Sequence, residues 1–172
     1  LDLFVAATAT PLSRVTVPTF ARLRDDQVRL RTALLDLLSV TVPGYAVASV
    51  LLTLHAAAVV YIALGPKFED TIPVAQILFA TLVPRCVVKI SEGFAVASGR
   101  AGSTAVRQGF YAAMMIGGTI VGTRYGIVGV AAAVSIAIVS FYMLSMSYAL
   151  RLSTAPVGKV ATIHLRALLL AG

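Results

Sequence analysis

The sequence predicts an all-α fold, a polytopic bundle of transmembrane helices. Composition comes first: 59% of the 172 residues are hydrophobic and only 12% are charged, against about 45–50% and about 25% in soluble domains. The mean hydropathy is +0.93. Second, the apolar residues fall in long runs, with most cations in short connectors between them. Third, only helices or closed barrels satisfy the backbone in lipid, and no ten-residue alternation typical of barrel strands is present.

Residues 1–20, "LDLFVAATATPLSRVTVPTF", read as the end of a preceding membrane helix, with Pro11 and Pro18 to kink or stop it. Residues 21–31, "ARLRDDQVRLR", hold four arginines and two aspartates and read as a charged connector. The first long apolar run is 32–64. As one helix it would reach about 50 Å, beyond a hydrocarbon core of about 30 Å. Pro43-Gly44 gives a reason for a kink inside it. "GPKFED" closes the run, and 71–98 is the second, interrupted by Pro84. "GRAGSTAVR" reads as a connector, 108–122 as the third run, "TRYG" as a turn and 127–150 as the fourth. Residues 153–172 read as a connector and the start of a further helix. With Leu1 at the front and the apolar "HLRALLLAG" at the end, the chain reads as a piece of a longer polypeptide.

Lysine and arginine alternate between connectors in number. Ten lie in or around 14–31, 99–107 and 151–166, whereas the two intervening turns hold Lys67 and Arg124. The positive-inside rule then places the first three connectors in the cytoplasm and 32–152 across the membrane four times. The same distribution argues against nucleic acid as partner of the net +7 charge, since no basic face interleaved with aromatics is present. The single Cys86 excludes an internal disulfide and reads as a packing residue. Two distant histidines, one cysteine and no acidic pair at enzyme-like spacing make no triad, metal site or phosphate loop. The chain is therefore expected to be no enzyme and to need no cofactor.

Small residues recur at helical spacing, at Gly118 and Gly122 and at Gly129, Ala133 and Ala137. They read as close helix packing within one bundle, with a dimerisation face as the alternative. The stretch "LVPRCVVKISEGF" poses a sharper question. At 100° per residue, Thr81, Arg85, Lys89 and Glu92 fall within about 80° of one another. Ionisable groups in a bilayer are costly, tend to pair and mark substrate or ion paths. Glu92 is placed to pair with Lys89 one turn earlier, which leaves Arg85 as an unpaired cation suited to phosphate or carboxylate. The competing reading is snorkelling of Lys89 and Glu92 to the headgroups. Asp36 reads as an interfacial ion-pair member near Arg29 and Arg31, His55 as a hydrogen-bonded core residue, and Gln76 and Ser91 as cavity or capping groups; His164 lies in the tail.

Four stretches carry a resemblance. "VPTFARLRDDQVRLR", "LGPKFEDTIPVAQIL", "KISEGFAVASGR" and "YGIVGVAAAV" occur in this order. They resemble, in turn, the "P-x-F-S-R-L-x-D-D" connector, the "L-G-P-K-W" turn, the helix ending in "A-x-G-R" and the "Y-G-I-x-G-V-A" entry of bacterial polysaccharide transporters. These form the oligosaccharide-flippase branch of the superfamily that also holds multidrug and toxin extruders. The resemblance spans roughly residues 10–152; Phe68 stands where that family usually has Trp, and Ser98 where Leu or Thr is common. It implies part of the later half of a two-lobed transporter of twelve to fourteen helices in the bacterial inner membrane. Such a transporter moves lipid-linked oligosaccharide or polysaccharide by alternating access. Its implied partners are a lipid-linked anionic glycan, membrane lipids and the remaining helices. Arg85, Lys89 and Glu92 are the substrate-binding candidates. The alternatives are a small-molecule exporter of the same superfamily and a non-transporting assembly subunit; a glycan-modifying enzyme would lack catalytic residues in this piece.

Overall fold

A computed structural model of the chain describes residues 18–23, 26–153 and 157–171. The described residues form helices and helical turns with no strand among them, so the fold is an all-α bundle. After a helical turn at residues 18–22 come α1 (Gln27–Leu54), α2 (Ala56–Ala63), a 3₁₀ turn (Pro66–Thr71), α3 (Ile72–Ala80), α4 (Leu82–Ala97) and α5 (Ala101–Gly122). A second 3₁₀ turn (Thr123–Tyr125) leads into α6 (Gly126–Ser153), and α7 (Val157–Ala171) follows. Residues 1–17, expected to end a preceding membrane helix, lie outside the described residues.

α1 starts at a side-chain cap. Asp26 accepts the Arg29 backbone N–H at 3.0 Å and pairs with the Arg29 guanidinium at 3.2 Å, satisfying one orphan donor of the first turn. Most of the expected 21–31 connector is thereby shortened to a few residues. From there α1 buries Leu30, Leu34, Leu38, Val42 and Ala46. These follow strict i, i+4 spacing, a ridge along one side of the helix. They form the main core with Phe20, Val87, Ile90, Phe94, Met146, Ala149 and Val160.

Pro43 does not break this helix. It lies inside α1 with the helix continuing on both sides, and the ridge crosses it with Val42 and Ala46 buried. The break of the 32–64 run comes instead at His55, in a non-helical conformation (φ −100°, ψ 19°). Its N–H and its ring Nδ1 both reach the Leu51 carbonyl, each at 3.0 Å. The ring thus holds the same carbonyl as its own backbone N–H, at the point where the helix turns non-helical. His55 is consequently exposed and is no core histidine.

In the second run Pro84 acts one turn upstream of itself. It has no N–H for the Ala80 carbonyl and its ring crowds that group. The helix breaks at Thr81, and the Pro66–Ala80 and Leu82–Ala97 arms meet at 41°. α4 stops at Gly99 (φ 76°), with Gly99 N–H on Val96 O at 2.9 Å and Arg100 N–H on Ala95 O at 3.0 Å. This is the two-bond glycine stop in which a left-handed residue caps the last turn. The next helix begins at Ala101, so the expected 99–107 connector shrinks to a tight turn and Arg107 lies on a helix. In the stretch expected to hold a connector and the start of a further helix, 153–172, the helix is α7, and it packs alongside α1.

Val28–Leu54 and Gly102–Ser153 are long and apolar enough to cross a membrane, and the bent pair makes a third candidate span. The 52 residues of Gly102–Ser153 would extend about 78 Å as one rod, over twice the hydrocarbon core. They fold back as a hairpin at Gly126 (φ 74°) instead. The two small-residue faces meet there: a Cβ on Gly118 would touch Ala133, and one on Gly122 would lie 2.8 Å from Gly129 O and Val130 Cα. The spacing thus serves packing between consecutive helices.

Gly122→Ala is expected to overpack this contact and cost about 1–3 kcal/mol. Gly117→Ala, with nothing within 4 Å of the added carbon, is expected to be neutral. Thermal unfolding of the purified chain in detergent checks both.

Candidate functional site

Helices α4 and α5 follow each other directly yet touch little; each packs on α6 instead. A cleft of roughly 190 Å³ opens between them. α4 supplies Arg85, Val88, Lys89 and Glu92, α5 supplies Gln108 and Tyr111, and α6 supplies Ile138 and Phe141. The Tyr111 and Phe141 rings stack at 4.6 Å. The cleft is therefore charged on one wall and apolar and aromatic across its base.

The opposite side of α4 explains its orientation. Cys86, Val87, Ile90, Phe94 and Ala97 are buried, and Phe94 meets Phe20 edge-on at 5.4 Å. Cys86 is free and buried. Turning this apolar face into the bundle leaves the Thr81–Arg85–Lys89–Glu92 stripe on the cleft side. The three sequence-derived candidates thus line one cavity.

They differ in surroundings. Glu92 is mostly buried, its side chain 11% exposed, whereas the Lys89 side chain is 57% exposed. Lys89 Nζ lies 3.9 Å from Glu92 Oε2, the i, i+3 pair expected on a helix. Gln108 Nε2 donates to Glu92 Oε1 across the cleft. Arg85 is not left alone: its Nε donates to Thr81 Oγ1 at 3.4 Å.

The residue that sequence reading missed is Arg107, counted there as a connector cation. It is 7% exposed. Its guanidinium lies 3.9 Å over the Tyr148 ring, and Nη2 donates to Thr104 Oγ1 at 3.2 Å. Nε and Nη1 are buried with no hydrogen-bond partner among the described residues. Glu92 itself has an ammonium on its own helix and an amide across the cleft as partners. Tyr148 in turn meets Ser103 at 2.6 Å, tying the start of α5 to the end of α6. The available signal was Thr104, Arg107, Gln108 and Tyr111 at i, i+3, i+4 and i+7, a helical face that begins before residue 108.

The remaining candidates lie elsewhere. Ser91 is buried on α4 and its hydroxyl has no partner among the described residues, while Gln76 is exposed. His164 is fully engaged, with Nε2 2.8 Å from Tyr142 OH and Nδ1 2.9 Å from Val160 O. Asp36 lies in a separate groove and makes no ion pair among the described residues.

Residues 1–73 match the model of a family described as "Polysaccharide biosynthesis protein". The match supports a role in polysaccharide biosynthesis for a helical membrane protein. It covers less than half of the chain and ends in the first turns of α3, before the cleft residues begin. No curated protein and no solved structure matches the chain.

Replacing Gln108 with Leu removes the donor that spans the cleft to a mostly buried carboxylate. A loss of about 1–3 kcal/mol is expected. Gln108→Glu, which sets like charges together, is expected to cost more than Gln108→Leu. The order of the two melting temperatures in detergent is the check.

Proposed function

We propose that this chain is part of a flippase that carries a lipid-linked, anionic oligosaccharide or polysaccharide across the bacterial inner membrane. The observation that carries the reading is the cleft: Arg85 and Lys89 on one wall, Glu92 beside them, and a stacked Tyr111–Phe141 pair at its base. A guanidinium and an ammonium suit phosphate or uronate oxygens. The aromatic faces offer apolar area to the C–H faces of sugar rings. Glu92 balances the cations while the cleft is empty of substrate. The family match at residues 1–73 favours a glycan over other cargo.

Transport needs affinity without permanence. An exposed Lys89 beside a paired Glu92 provides this, since an incoming anion competes with the carboxylate for the ammonium. No bond of the glycan is made or broken in this reading, and the chain acts as a carrier. It is joined by the other helices of the transporter. The run through α1–α2, the bent α3–α4 pair, α5 and α6 would cross the bilayer four times. The connections into α1, between α4 and α5, and between α6 and α7 would then face the cytoplasm.

Arg85→Gln combined with Lys89→Gln, made in the complete transporter, is expected to lower polymer export by about tenfold or more, a loss of about 1.4 kcal/mol or more in the productive complex. Unchanged export at equal protein level would remove both residues from the mechanism. A variant with Glu92→Gln separates this reading from a small-molecule exporter, which would lose organic-cation efflux.

Orientation has its own check. Lys67→Cys and Arg100→Cys, both at exposed positions, are expected to react with a membrane-impermeant thiol reagent from opposite sides. The buried Cys86 leaves a low background. Labelling of both from one side would overturn the four-crossing arrangement.

A further inference from the structure

A second polar cavity lies outside the cleft, along the seam where α7 packs against α1. It is an open groove of roughly 700 Å³. Arg31 from α1 and Lys159 and Arg166 from α7 converge on it, with Asp36 as its one carboxylate. None of the three cations makes a hydrogen bond or ion pair among the described residues. The groove therefore carries a local excess of two positive charges that the described residues do not neutralise. Its hydroxyl groups are turned onto carbonyls of their own helices, which leaves the cations as its available donors.

Its position narrows the ligand. Arg31 lies about 6 Å and Asp36 about 13 Å along α1 from the helix start, and Arg166 about 10 Å beyond Lys159 on α7. The groove thus rises from the end of the bundle that also collects Arg22, Arg29, Arg100 and Arg151. Its walls include the apolar side chains of Leu35 and Ile163. A cationic floor that grades into apolar walls fits an amphiphile better than a free ion, and basic pockets between membrane helices on the cytoplasmic side take anionic headgroups.

We infer that the α1–α7 groove binds the phosphate of an anionic membrane phospholipid, with Arg31 and Arg166 holding the headgroup from two helices and Lys159 at its rim. The lipid fills the seam between α1 and α7 and holds these helices together. This site is separate from the α4–α5 cleft and does not depend on what the cleft carries.

The test is native mass spectrometry of the whole chain released from a neutral detergent. It is titrated with dioleoyl-phosphatidylglycerol, dioleoyl-phosphatidylcholine or glycerol 3-phosphate. Phosphatidylglycerol adducts are expected to be retained about tenfold or more strongly than phosphatidylcholine adducts. Arg31→Gln with Arg166→Gln is expected to bring phosphatidylglycerol down to the phosphatidylcholine level. Arg31→Lys with Arg166→Lys keeps the charge and is expected to preserve most of the preference, which separates loss of the site from loss of the fold. Arg85→Gln with Lys89→Gln is expected to leave the adducts unchanged. Equal retention of the two lipids overturns the inference, as does equal phosphatidylglycerol retention in the Arg31→Gln, Arg166→Gln variant. Loss of the adduct on neutralising the cleft instead would place the lipid there and overturn it too. Displacement of phosphatidylglycerol by equimolar glycerol 3-phosphate would assign the groove to a soluble phosphate and sink the lipid assignment.

Discussion

A carboxyl group between apolar helices must be compensated where it sits, and Glu92 is that group. Removing one partner from a buried charged network costs several kcal/mol, because the remaining charge is left without water. Glu92 is compensated from two directions, by Lys89 on its own helix and by Gln108 across the gap. The second contact matters more for shape. α4 and α5 have little other packing between them, so the amide–carboxylate bond sets how far apart their cleft-lining sides stand. The width of the candidate site follows from a polar pairing, not from hydrophobic contact.

The rest of the bundle makes that arrangement possible. α6 is the shared partner of α4 and α5. It accepts α5 through glycine and alanine contacts close enough to exclude a Cβ at Gly122 and Gly129. It accepts α4 through the aliphatic core that runs on to α1. The α5–α6 hairpin closes at one end with backbone nearly on backbone, and its other end is bridged by side chains. There Arg107, Tyr148 and Ser103 fill the space with polar and aromatic groups. A half-satisfied buried guanidinium is an expensive element. On α5 it directly precedes Gln108, the residue whose amide meets Glu92.

The family match and the cleft bear on different parts of the chain. The match lies on residues 1–73, which include the α1 ridge and the groove cation Arg31. The cleft is built from residues 85–141. The similarity to a polysaccharide-biosynthesis family therefore rests on one part of the chain and the proposed cargo site on another. They are joined by the core in which Leu30–Ala46 of the ridge meets Val87, Ile90 and Phe94.

By itself the sequence determined the class, the long helices and the charged stripe. Apolar excess, run length and 100° periodicity are local properties that need no knowledge of neighbours. It located glycine and proline as punctuation but misjudged their reach. Pro43 is carried through by the buried ridge on both sides of it, Pro84 breaks the helix at Thr81, and the first run breaks at His55. Each outcome depends on what a freed or contested carbonyl can bond. Only the tertiary structure decided that Gln108 meets Glu92, that Arg107 is buried on a helix, and that Arg31 and Arg166 share a groove. Those pairs lie on different helices, and no spacing along one chain fixes which faces will turn toward each other.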